Sequence, residues 1–189
     1  MSRKKDKGKI LFFRESVFKV AELLFNRPNA TFHIRGLAKE TALSTTAVIQ
    51  AVEELHKFEI VTTEKTEITT NIKANVESEA YRSYKKIFNL YRLERYNIIR
   101  TLKEAYRAKT IVLFGSFAKG EDTEESDVDI LILTSHKEAT DITDSITEYE
   151  KLLNRRINLH LLSSLEKSSS EFKNAIANGI VLHGYVKVV

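Results

Sequence analysis

Residues 113 to 133, LFGSFAKGEDTEESDVDILIL, constrain the fold more than any other stretch of the chain. An apolar run that begins at Ile111 ends at Leu113-Phe114, and Gly115-Ser116 breaks it. Glycine at such a break lets the backbone approach another group closely. An acidic loop, Gly120 to Ser126, leads into Asp127-Val128-Asp129-Ile130-Leu131-Ile132-Leu133. The pattern predicts a strand, a Gly-Ser turn, a short helix with an acidic loop, and a second strand. Side chains alternate faces along a strand, so Asp127 and Asp129 share one face while Val128 and Ile130 turn into the core. Their Cα atoms would lie roughly 6.6 Å apart, twice the rise per residue. Carboxylates so spaced can converge on one or two hard cations, as in phosphoryl-transfer sites. A turn of backbone N–H groups with a serine hydroxyl, at the end of the neighbouring strand, suits the phosphates of a nucleotide.

No other chemistry competes with this one. The histidines lack metal-ligand spacing such as His-Glu-x-x-His, and there is no Gly-Lys-Ser phosphate loop, Gly-x-Ser-x-Gly elbow or internal repeat. The absence of cysteine excludes disulfides and thiolate metal sites. No apolar run approaches the ~20 residues of a membrane span. Met1 to Lys9 is basic but is not followed by an apolar signal region. These features lead to the expectation of a cytoplasmic protein with no membrane partner. Charge is divided unevenly, with a balance of +9 over residues 1–110 and −5 over residues 111–189. Such a division suits a nucleic-acid-facing module joined to something else, or long helices solvated by basic residues.

The amino-terminal part reads as α-helical and then β. The basic tail Ser2 to Lys9 is either a phosphate-contacting arm or a solubilising end. Arg14 to Phe25 carries Val17, Val20, Ala21 and Leu24 at helical spacing, and Pro28 ends that helix. Thr31 to His33 is a short extended piece, Ile34 to Glu40 a second helix, and Thr41 to Leu43 a turn. Ser44 caps a third helix running to about Phe58, with Val48, Ala51, Val52 and Leu55 inward. The runs Ile60 to Thr63 and Ile68 to Ile72 are β-prone, with Lys65-Thr66-Glu67 as the hairpin tip. Three helices and a hairpin resemble a winged helix-turn-helix domain, with IRGLAKETALSTTAVIQAVEELHKFEIV as its helix, turn and recognition helix. The resemblance implies that Thr45, Thr46, Ile49 and Gln50 face a major groove, with Lys57, Lys65 and Lys73 on phosphates of double-stranded DNA. Glu53 and Glu54 on the same helix oppose tight DNA binding, and such domains also serve as dimerisation or docking modules. A homodimer is therefore a further expectation.

Glu77 to Arg107 is mostly helical, with Tyr81, Tyr84, Phe88, Tyr91, Tyr96, Ile99 and Leu102 as an apolar stripe and a wet basic face. The stripe could also be a stacking surface for nucleic acid. Beyond Leu133, Ser135 to Leu153 is predicted as a helix with Asp141, Asp144 and Glu148 on a solvated face. The acidic loop 120–126 is likewise read as solvated. Arg155 to Leu162 is a third strand with Asn158 and His160 on one face and Ile157, Leu159 and Leu161 on the other. Ser163-Ser164 caps a last helix to about Asn178, Gly179 ends it, and Ile180 to Val189 can add an edge strand.

Gly-Ser, a spacer of ten residues and Asp-Val-Asp inside an apolar strand resemble the nucleotidyltransferase superfamily of DNA polymerase beta, over about residues 85 to 185. The resemblance implies an α+β chain: a winged helix-turn-helix domain at 1–76, a linking helix at 77–95, and at 96–189 a nucleotidyltransferase domain whose small mixed sheet is flanked by helices. It implies that Asp127 and Asp129 bind Mg²⁺, or Mn²⁺ in its place. It further implies that Gly115, Ser116 and Lys119 hold the phosphates of ATP or another nucleoside triphosphate. Asn158 stands where the family has a third carboxylate, which implies a weak second metal and either slow chemistry or another group in that role. His160, on the same face, is either a substitute base or an orienting residue. Some members form toxin–antitoxin pairs, which implies a protein acceptor or toxin-like partner. Two functions follow: metal-dependent transfer of a nucleoside monophosphate to a hydroxyl, or a transcriptional regulator that binds nucleotide without turnover.

Overall fold

The computed structural model describes residues 14–136 and 141–187. The expected basic arm lies outside the described residues. The chain falls into two compact units, Met1–Tyr81 and Arg82–Val189. No helix among the described residues is long and apolar enough to cross a membrane.

The first unit contains α1 (Glu15–Asn26), β1 (Thr31–Phe32), α2 (Ile34–Thr41), α3 (Thr45–Lys57), β2 (Val61–Lys65) and β3 (Thr70–Ala74). Its strands form an antiparallel sheet in the order β1-β3-β2. The core comes from the helical stripes, Val17, Val20, Ala21 and Leu24 of α1 against Val48, Ala51, Val52 and Leu55 of α3, with Ile72 of the sheet also buried. The α2–α3 turn is made by Ala42 in the left-handed region at φ 55°. Ser44 Oγ then accepts a hydrogen bond from Ala47 N at 3.2 Å and starts α3. The hairpin tip is shifted from its expected place. Lys65 pairs with Thr70 inside the sheet, and the turn runs through residues 66–69, closed by Thr66 N donating to Thr69 O at 2.8 Å.

The second unit begins within α4 (Glu79–Arg95) and continues through α5 (Ile98–Tyr106), β4 (Thr110–Phe114), α6 (Gly115–Lys119), β5 (Val128–Leu133), α7 (Thr143–Leu153), β6 (Ile157–Leu162), α8 (Ser170–Ala177) and β7 (Ile180–His183). Its sheet runs β6-β5-β4-β7; β5 and β6 are parallel, and the other pairs are antiparallel. Alternation divides the sheet into two apolar faces. Ile111, Leu113, Val128, Ile130 and Ile132 pack with Leu93, Ile98, Leu102, Phe117 and Leu153 of the helices. Val112, Phe114 and Leu131 form a second cluster with Ile176 and Phe172 of α8. Each expected strand is present, including an edge strand at Ile180–His183.

Several expected boundaries move. The helix drawn from Ser135 begins only at Thr143, because the Asp141 carboxylate precedes it and accepts from both Thr143 N and Thr143 Oγ1, at 3.0 and 2.8 Å. Residues 137–140 of that stretch lie outside the described residues. The last helix is capped by Ser169, whose Oγ accepts from Phe172 N, and not by Ser163-Ser164. The helical stretch expected over Glu77 to Arg107 is broken at Asn97, which takes φ 55°. Leu161, expected on the face of Ile157 and Leu159, is exposed on the edge strand β6.

The acidic loop is not uniformly solvated either. Asp122 is buried among Lys85, Asn89 and Arg155. Asn89 Nδ2 donates to Asp122 Oδ1 at 2.8 Å and to Phe117 O at 2.9 Å. Lys85 Nζ donates to the Asp122 carbonyl and stands 3.4 Å from Oδ1, while Arg155 Nη2 lies 3.5 Å from Oδ2. The expected wet basic face of α4 therefore has an interior component. Burial pulls the Lys85 ammonium below its ordinary pKa, and the Asp122 carboxylate opposes that shift. Replacing Asp122 with Ala leaves two buried cations without their carboxylate. It is expected to cost about 3–5 kcal/mol in urea unfolding. A change below ~0.5 kcal/mol would show that the network does not hold the loop.

Candidate active site

The register of β4 on β5 places Phe114 opposite Asp129, so the Gly115-Ser116 turn leaves the sheet beside that carboxylate. Gly115 takes φ +76°. A Cβ at this position would lie 2.6 Å from Asp129 Oδ2. The carboxylate occupies the space a side chain would fill, and only glycine permits both the turn and the approach. Ser116 and Lys119, three residues apart on α6, fall on one helix face, with Lys119 exposed and Ser116 half-buried. Gly120 closes α6 at φ +74°, and a Cβ there would strike the Arg82 carbonyl at 2.2 Å. The turn is thus packed on α4 from behind.

Asp129 lies within β5, half-buried on the sheet face of Leu131 and Phe114. Asp127 precedes β5, which starts at Val128, and its side chain is exposed. The expectation of two acids within one strand is corrected in this respect: the ladder begins one residue later, where Val128 N donates to Arg156 O at 2.8 Å. Asp127 borders a polar hollow of about 690 Å³ that also includes Glu150, Lys151 and Arg156.

Parallel pairing brings Asn158 level with Asp129. Its Nδ2 donates to Asp129 Oδ1 at 3.0 Å. His160 Nε2 stands 3.7 Å from the same oxygen and makes no hydrogen bond among the described residues. The His160 ring is held by Phe114 and Phe172, with centroids 5.1 and 5.5 Å away. Gly115, Asp129, Asn158 and His160 are therefore brought together. The side chains of Asp127, Ser116 and Lys119 make no hydrogen bond or ion pair among the described residues, and stay available on segments adjoining that cluster.

Among the described residues no group of three or more His, Asp or Glu side chains converges as a cation cage. Mg²⁺ is nonetheless commonly held by one or two carboxylates, with water and substrate phosphates completing the shell. Asp129 seated in the Gly115 cradle, with Asp127 two residues before it, fits that limited donor set.

The residues expected to meet DNA lie in the first unit. Thr45, Thr46, Gln50 and Lys57 are exposed on α3, and Lys65 is exposed at the end of β2. The sequence carried no signal for Lys85 and Asn89 as partners of Asp122, nor for Phe114 and Phe172 as the walls around His160.

A family profile described as "Polymerase beta, Nucleotidyltransferase" matches residues 96–185. In Methanocaldococcus jannaschii, "Putative protein adenylyltransferase MJ1379" is 38% identical over 63 residues, which cover 32% of this chain and 63% of the relative. "Putative protein adenylyltransferase MJ0604" is 39% identical over 75 residues, covering 32% of this chain and 75% of that relative. "Putative protein adenylyltransferase MJ0126" is 58% identical over 33 residues, 18% of this chain and 34% of the relative. The chain thus spans under two thirds of the length of some relatives and three quarters of another. The mixed sheet with flanking helices, the turn against Asp129 and these matches agree, and the chain belongs to the polymerase beta nucleotidyltransferase family.

Proposed function

We propose that the chain transfers a nucleoside monophosphate from a nucleoside triphosphate, ATP by analogy with the names of its relatives, to a hydroxyl on an acceptor protein. The carrying observation is Asp129 seated in the Gly115 cradle at the end of a buried strand. Asp129 and Asp127 would hold Mg²⁺, which when bound neutralises the triphosphate and the departing pyrophosphate. The Gly115 backbone, the Ser116 hydroxyl and the Lys119 ammonium position the phosphates. The acceptor oxygen attacks the α-phosphorus, the bond to the bridging oxygen of the β-phosphate breaks, and the acceptor proton passes to water. Asn158 holds the Asp129 carboxylate through one hydrogen bond and cannot itself take that proton.

The first unit reads as a winged helix-turn-helix domain that locates the enzyme on DNA. Its element order, its β1-β3-β2 sheet and the exposed outer face of α3 support that reading. A second reading, a regulator that binds nucleotide without turnover, is favoured by one observation. A neutral amide, Asn158, is hydrogen-bonded to Asp129 where the family's third carboxylate belongs.

Incubation with α-labelled nucleoside triphosphates, Mg²⁺ and candidate protein acceptors tests the first reading. Label transfer is expected, with a loss on the order of a thousandfold in Asp129→Asn, since a bound metal contributes several kcal/mol of charge stabilisation. Transfer that persists in that variant would remove Asp129 from the chemistry. Nucleotide binding without transfer in the wild type, with transfer appearing in Asn158→Asp, would establish the regulator instead. For the DNA reading, Lys57→Ala is expected to weaken duplex binding and to reduce its salt slope by about one. No duplex binding at low salt would leave protein docking as the role of this unit.

A further inference from the structure

The face that carries Asp129 continues past His160 into an open hollow of about 360 Å³. Its lining includes His160, Leu162, Ser168, Ser169 and Phe172. We propose that this hollow is the subsite for the nucleobase of the bound nucleotide; the proposal rests on the reading that the Asp129 site takes a nucleoside triphosphate. Three features point to a flat, heteroatom-bearing ring as its occupant.

The first is aromatic. His160 and Phe172 present rings 5.5 Å apart and tilted by 50°, and Phe114 backs both at 5.1 and 5.5 Å. Phe114 is buried, whereas His160 and Phe172 are half-exposed, so ring surface is held open on a packed support. Held aromatic faces are the usual platform for bases, because every base offers a π-face.

The second is polar. The Ser168 hydroxyl makes no hydrogen bond among the described residues. Ser169 Oγ accepts from Phe172 N, and its own proton goes to the Glu171 carboxylate, so this residue caps α8 and is not the free donor of the hollow. A wholly apolar guest would leave the Ser168 hydroxyl without a partner, whereas the edge of a base can satisfy it.

The third is position. His160 Nε2 stands 3.7 Å from Asp129 Oδ1, so the hollow begins beside the carboxylate assigned to the triphosphate's cation. A ribose separates base from α-phosphate in a nucleotide, and the hollow is displaced from Asp129 along the same strand face. Its volume lies within the ~300–1,000 Å³ range of small-molecule sites.

The test is calorimetric binding to the full chain with Mg²⁺, comparing α,β-methylene-ATP with inorganic tripolyphosphate. Wild type, Phe172→Leu and Phe172→Tyr are compared. Phe172→Leu is expected to weaken the nucleotide by about fivefold or more, the low end of base–aromatic stacking, while tripolyphosphate affinity stays unchanged. Phe172→Tyr, which keeps a ring, is expected to restore nucleotide affinity. Unchanged tripolyphosphate binding also reports that the leucine variant is folded. If both ligands weaken together, or neither does, the subsite is overturned while phosphate binding stands. If the wild type binds neither ligand, the nucleotide reading fails and the subsite fails with it.

Discussion

Asp129 rests against a glycine that has no room for a side chain, and the functional reading depends on that approach. The 2.6 Å separation from a hypothetical Cβ means that turn and carboxylate were packed as one unit. Sheet registration produces the approach: β4 is buried at every position, its last residue sits opposite Asp129, and the chain must turn immediately afterwards. Hydrophobic burial of the strand thus determines where a charged group ends up. From the other side, parallel pairing with β6 supplies the Asn158 amide, which orients one carboxylate oxygen and leaves the other toward the turn.

Behind this turn lies a buried polar cluster whose role is mechanical. Asn89 ties the Phe117 carbonyl of α6 to Asp122, and Lys85 and Arg155 close around the same acid. The loop leaving α6 is therefore anchored to α4 and to the start of β6. Such a cluster stabilises little relative to well-packed apolar residues, but losing one member is costly, so it fixes the loop in one position. That suits a site whose polar groups must be held in place before a ligand arrives.

The strands flanking the turn were legible in the sequence because they are short apolar runs rich in β-branched residues and bounded by turn residues; length and flanks, rather than periodicity, distinguish them from buried helix. The Ser44 cap was legible because one serine stood before one clear helical stripe. At the carboxyl end, serines at 163, 164, 168, 169 and 170 all offered caps. The choice fell to Ser169, which lets Phe172 and Ile176 reach the sheet, a tertiary requirement invisible in local pattern. Asp122 was similarly hidden: it is one of several carboxylates in its loop, and its burial follows from Lys85 and Asn89, which lie more than thirty residues earlier. The meeting of Asp129 with Gly115 could be anticipated from motif spacing. The rings around His160 could not, since Phe114, His160 and Phe172 share no periodicity.

The most direct measurement is Mg²⁺-dependent nucleotide affinity in Gly115→Ala. An alanine there must adopt a left-handed backbone, costing about 1–2 kcal/mol, and must also displace Asp129. The account predicts a folded protein whose affinity falls by on the order of tenfold or more. Undiminished affinity in a folded Gly115→Ala protein would contradict it, because Asp129 and the turn would then not act on the nucleotide together.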